Sequence, residues 1–158
     1  MNVGPRDAFW IWAPERSIHH LTVVLTHPEL RTESGTVDVA LVNVSSIRRS
    51  IAYDGTTPVS PEDYPSKITH PSYVFYQKAQ FKSVQEIEDE TRTTIPGTNA
   101  RYAVPLEPVS PAFFERICDG IQKSDDTPEE VMDYCFDRHP GDGTVTVGLA
   151  EKPKSGAE

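Results

Sequence analysis

The chain has 158 residues, 37% of them hydrophobic, a length and composition that suit one modest core. Fourteen prolines and nine glycines point to many turns and short elements, as in a small β-rich fold. The net charge of −9 is uneven: residues 1–82 carry eight Lys/Arg and eight Asp/Glu, residues 83–158 seven and sixteen. The whole chain therefore lacks the basic character of a typical nucleic-acid binder, although the neutral first half can hold a local basic face around Arg48 and Arg49.

In chain order, DAFWIWAP (Asp7 to Pro14) reads as a first strand that the proline stops. ERSIHH reads as a polar connection. LTVVLT (Leu21 to Thr26) is a second strand, and ELRTESG a turn. Thr36 to Ser46 is the clearest strand, with apolar residues on both faces, the pattern of a central strand. Ile47 to Lys67 is proline-rich and poor in apolar residues, a long loop of the kind that often carries function. Ser72 to Phe81 is the next strand. Ser83 to Glu90 fits a short acidic helix or a strand edge followed by a turn, Thr91 to Arg101 a polar mobile stretch, and Ala100 to Leu106 a short strand.

Two helices follow. Ser110 is placed to cap the first, with Pro111 at its first position and Phe113, Phe114, Ile117 and Ile121 at helical spacing. Thr127, Pro128 and Glu130 form a capping-box pattern for the second, which HPGDG ends. A last edge strand is expected at Val145 to Leu149 and a disordered tail at 151–158. Strands first and helices afterwards give α+β: a small SH3-like β-barrel or curled antiparallel sheet followed by two C-terminal helices. The expected organisation is a single domain over 1–150, with a β-rich barrel at 7–106 and a helical pair at 110–138.

The opening residues carry no basic-then-apolar leader and no stretch approaches the ~20 apolar residues of a membrane span, so a cytoplasmic protein is the expectation. Cys118 and Cys135 belong to no CxxC pair or Cys/His cluster; buried thiols fit better than a zinc site, and a disulfide between the helices stays open. No metal site and no cofactor is expected, because neither ligand spacing nor a phosphate-binding glycine loop is present.

The chemistry-bearing residues sit at strand ends. His19 and His20 precede one strand, His27 follows it, and His70 and Ser72 open a later one. Imidazoles titrate near neutral pH, so two that meet on a barrel rim can serve as base and acid. Each can equally cap a turn. Ser45, Ser46, Arg48 and Arg49 close the central strand, where hydroxyls and guanidinium groups suit a phosphate oxygen or a solvated turn. Asp54 in YDGTT reads as an Asx turn, and Phe9, Trp10 and Trp12 as core.

DAFWIWAP, HLTVVLTHP, VALVNVSS, a loop with an Asp, and ITHPSYVFYQKA together resemble a divergent branch of the PemK/MazF-like growth-inhibiting toxin group, over roughly residues 7–82. The resemblance implies the toxin of a toxin–antitoxin pair: a small barrel that cleaves single-stranded RNA without a metal, with a cognate antitoxin and a homodimer as possible partners. In that group a basic residue lies in the first inter-strand loop, which here holds Arg16, His19 and His20. The group's double arginine is replaced by His19-His20. On this reading His20 and His70 are the acid/base pair and Ser46 the hydroxyl residue, while His19, Arg48, Arg49 and Ser72 bind substrate. The alternative is a non-catalytic protein-interaction module on the same barrel, acting in a regulatory or defence complex. A basic pocket around Arg48 discriminates the two, since such a module needs none.

Overall fold

A computed structural model of the chain describes residues 1–136. The strand expected at Val145–Leu149, the helix stop at His139–Gly143, the last two residues of the helical pair and the 151–158 tail lie outside the described residues.

The fold is α+β. Its strands are β1 (Ala8–Ala13), β2 (Ile18–Val24), β3 (Glu29–Arg31), β4 (Thr36–Ser46), β5 (Pro58–Val59), β6 (Ser72–Ser83) and β7 (Ala103–Leu106). They form one curled antiparallel sheet, a half-barrel in the order β5-β6-β4-β2-β1-β7, with β3 beside β4. Helix α1 (Val84–Arg92) follows β6 directly, and α2 (Pro111–Lys123) and α3 (Glu129–Phe136) come last.

The central-strand expectation for β4 is met: it lies between β6 and β2, and Val39 to Val42 are buried on both faces. The two cores explain this. On one face Ala40, Val42, Val44, Val74 and Tyr76 pack with Phe113, Phe114, Ile117 and Ile121 of α2 and Val131 of α3. Burying each large apolar side chain contributes about 1.5–3 kcal/mol, so this layer dominates the fold. On the other face Phe9, Val24, Val39 and Leu41 pack with Ile87 of α1. Helix α1 covers only that end of the face, and the other end stays open.

Local chemistry sets the boundaries. Ser110 caps α2 as expected, its hydroxyl accepting from Phe113 N at 3.1 Å. Thr127 does not cap α3; its hydroxyl donates to the Ile121 carbonyl at 2.8 Å, tying the interhelical turn to the end of α2. ERSIHH is not simply a connection. β1 and β2 pair down to Ala13–Ile18, leaving only residues 14–17 to turn, with Ser17 at φ 53°. His19 and His20 are therefore strand residues. Glu29–Arg31, expected as a turn, is β3, held by an Arg31–Asp38 ion pair at 3.2 Å and by Arg31 stacked 3.5 Å over the Phe81 ring. Within Thr91–Arg101 the backbone bridges Thr94 to Arg101 and buries Ile95.

One irregularity shapes the open end. Leu41 faces Gln80 but Asn43 faces Phe75, so three extra residues of β6 bulge out between them. A bulge of this kind bends and curls the sheet.

Candidate functional site: a basic groove on the concave face

Strand pairing builds the floor of the open end. Ile11 lies opposite His20, Thr22 opposite Asn43, Asn43 opposite Phe75, and Ser45 opposite Tyr73. Alternation along each strand puts all of these on one face. β2 pairs with β4 only from Leu21 to Val24, so Ile18–His20 and Ser45–Ser46 splay apart. The resulting groove has a volume of about 890 Å³.

The groove's charge is opposite to the chain's. Arg16, Arg48, Lys67, Lys78 and Lys82 line it, against the single carboxylate Glu15. Lys82 is ion-paired with Glu90 at 3.1 Å and Glu86 at 3.6 Å. The other four cations have no ion pair among the described residues. Like-signed groups in a concave, partly desolvated site focus potential and attract anions.

His20 sits half-buried in this field. Burial pushes its pKa below the ordinary 6.5, and the Arg16, Lys78 and Arg48 cations push the same way, against a smaller opposing pull from Glu15. Its imidazole is thus neutral near pH 7 and able to accept a proton.

The other sequence candidates fall into place differently. His19 points to the opposite face, where its ring packs edge-on against Trp12 at 5.2 Å and its Nε2–H donates to the Arg101 carbonyl at 2.8 Å. Its role is to pin the strand end. Ser72 donates to the His70 carbonyl at 2.9 Å and so stabilises the turn into β6. Ser46, opposite Ser72, is exposed at the end of β4. His70 is exposed on the rim of the groove, and Arg48 lines it; Arg49 does not. Of the sequence candidates the groove lining thus brings together His20, Arg48 and His70 with Ser46, Ser72 and, at its edge, His19; Arg49 alone is left out.

Sequence reading missed Lys78 and the aromatic part of the lining. Lys78 reaches the groove from the β6 bulge, which leaves no local signature. Tyr53, Tyr73 and Phe75 form a ladder of rings with centroids 5.2 and 5.4 Å apart. The exposed Tyr53 in a proline-rich loop was the available clue. Asp54 does form its Asx turn, accepting from Thr56 N at 3.0 Å and Thr56 Oγ1 at 2.6 Å. Among the described residues no three or more His, Cys, Asp or Glu side chains gather as metal ligands, and no helix is long and apolar enough to cross a membrane. Cys135 is buried, Cys118 is half-buried, and no disulfide joins them.

Against protein-family models, curated proteins and solved structures, the chain finds no match.

Proposed function

We propose that the groove binds single-stranded RNA and cleaves it without a metal, as the toxin of a toxin–antitoxin pair acting in the cytoplasm. The observation that carries this reading is the gathering of four Lys/Arg with no ion pair among the described residues, against one carboxylate, in the groove around His20, in a chain of net charge −9. A polyanion is the natural occupant of such a groove, and phosphate contacts supply most of its affinity. The likeness of residues 7–82 to PemK/MazF-like toxins supplies the reaction.

In that reaction neutral His20 takes the proton of a ribose 2′-hydroxyl. The 2′-oxygen attacks the adjacent phosphorus, and the bond to the 5′-oxygen breaks. One product ends in a 2′,3′-cyclic phosphate, the other in a 5′-hydroxyl that receives its proton from His70 in the imidazolium form. Arg48 donates to the phosphate oxygens as charge builds on them. Acid–base groups of this kind contribute about 10²–10⁴-fold each. His19 and Ser72, bound to backbone carbonyls, are left out of the chemistry.

The test is induced expression followed by inspection of cellular RNA, together with cleavage of a labelled oligoribonucleotide by purified protein in the presence of a chelator. Wild type is expected to arrest growth and fragment RNA, and His20→Ala to do neither. Intact RNA with wild type would overturn the cleavage and leave a polyanion-binding module. The exposure of His70 on the rim favours that second reading.

A further inference from the structure

The groove's aromatic ladder ends in an exposed tyrosine. Phe75 and Tyr73 are successive residues on the groove face of β6, and Tyr73 is only 8% exposed. Tyr53 comes from the loop between β4 and β5, lies 5.2 Å from Tyr73 at a 40° tilt, and is 46% exposed. One side of Tyr53 therefore leans on the ladder while the residue as a whole keeps nearly half its surface exposed. Ile18 and Ile51, also exposed, border the same groove.

The loop that carries Tyr53 is fastened on both sides. Ile51 N donates to Arg48 O at 3.3 Å, and Asp54 is bound by Thr56 and, at 2.6 Å, by Ser124 at the end of α2. Beyond it Val74 N donates to Thr57 O at 3.2 Å. An exposed aromatic held in place this way loses little freedom when a flat ring settles on it.

We infer that Tyr53, supported by Tyr73, is a stacking seat for an unpaired nucleobase whose flanking phosphates are held by Arg48 and the other groove cations. The inference rests on the nucleic-acid reading of the groove and adds its base-binding element. Charge selects the occupant: an apolar peptide would satisfy the rings but not the cations, whereas a single-stranded nucleic acid offers bases and phosphates in alternation. Every base has a π-face, so stacking on a tyrosine is tolerant of sequence.

The experiment compares the intact chain with Tyr53→Ala and Tyr53→Phe. Each binds a fluorescent ten-nucleotide single-stranded RNA and, separately, inorganic polyphosphate, which offers charge without bases. Tyr53 is exposed, so neither change threatens the fold. Tyr53→Ala is expected to weaken RNA binding roughly tenfold, the scale of one lost base–aromatic stack. Its polyphosphate affinity and the salt dependence of its RNA binding stay at wild-type values, because no charge is removed. Tyr53→Phe, which keeps the ring, binds RNA like wild type. Unchanged RNA affinity in Tyr53→Ala, or an equal loss for RNA and polyphosphate, would overturn the stacking seat. Wild type that binds neither probe would overturn the nucleic-acid reading itself, and the seat with it.

Discussion

Ser124, the residue that ends α2, donates a 2.6 Å hydrogen bond to Asp54 Oδ2, seventy residues earlier in the chain. The bond ties the helical layer to the loop that holds Tyr53 at the groove. Burial disfavours the Asp54 carboxylate, but hydrogen bonds from Ser124 and Thr56 outweigh it and hold its pKa below the ordinary 3.8. Folded Asp54 therefore binds a proton less readily than the unfolded chain does. Its stabilising contribution is complete above about pH 5 and drains away as pH falls through 3.8 and below. Asp54→Asn is expected to lose about 1 kcal/mol at neutral pH and to show a flatter loss of stability in acid. Urea unfolding of both proteins across the acid range measures this; parallel pH profiles would contradict it.

The field around His20 predicts a titration. Because burial and the Arg16, Lys78 and Arg48 cations depress its pKa, the imidazole should titrate below 6.5 in the folded chain. Folding then favours the neutral ring, and stability falls as pH drops from 6.5 into the range where only the unfolded chain is protonated. Arg16→Gln removes the largest of the charge effects and should move the titration upward; Glu15→Gln should move it down. Ring-proton NMR against pH reads all three. If the groove cuts RNA, the acid limb of its rate profile should follow the same shifts.

Much of this was legible along the chain. Apolar residues on both faces of Thr36–Ser46 announce a central strand, and the Ser110-Pro111 cap with its Phe/Ile stripe announces α2, because these signals are local. The groove was only half legible. His20 and Arg48 stand out as residue types, but which of two adjacent residues takes which face of a strand depends on register. His19 and His20 differ by one position and lie on opposite faces of β2. The extent of β2 was fixed by its partner β1, which pairs as far as Ile18, and not by its own polar sequence. Lys78, Tyr73 and Tyr53 meet His20 and Arg48 through a bulge and a loop whose geometry is set by contacts distant in sequence.

Gly120 sits where no side chain fits. A Cβ there would fall on the Tyr76 and Thr57 hydroxyls, closer than van der Waals contact permits. Those hydroxyls are 2.8 Å apart, and Tyr76 donates onward to the Ile117 carbonyl at 2.8 Å, wholly buried. Burial pushes the Tyr76 phenol far above its ordinary range, so it stays a neutral donor. Gly120→Ala should cost at least about 2 kcal/mol. Tyr76→Phe should cost about 1–3 kcal/mol by leaving the buried Thr57 hydroxyl without its partner, and it should not rescue Gly120→Ala, because the ring carbon also crowds the site. Chemical denaturation of the single and double variants decides it.

Arg48 and Arg49 are neighbours in sequence, both exposed, yet only Arg48 lines the groove. If polyanion binding depended on the charge of the region at large, removing either arginine would weaken it equally. If it depends on the groove, the two should separate. Arg48→Ala should lower affinity for single-stranded RNA and reduce the slope of log affinity against log salt by about 0.7, the value for one lost contact to a single strand. Arg49→Ala should leave the slope in place. The contrast also bears on His20: removing Arg48 takes away one of the cations that depress its pKa, so the titration should rise in Arg48→Ala. It should not move in Arg49→Ala. Equal salt slopes for the two variants would mean that the groove is not where the anion sits.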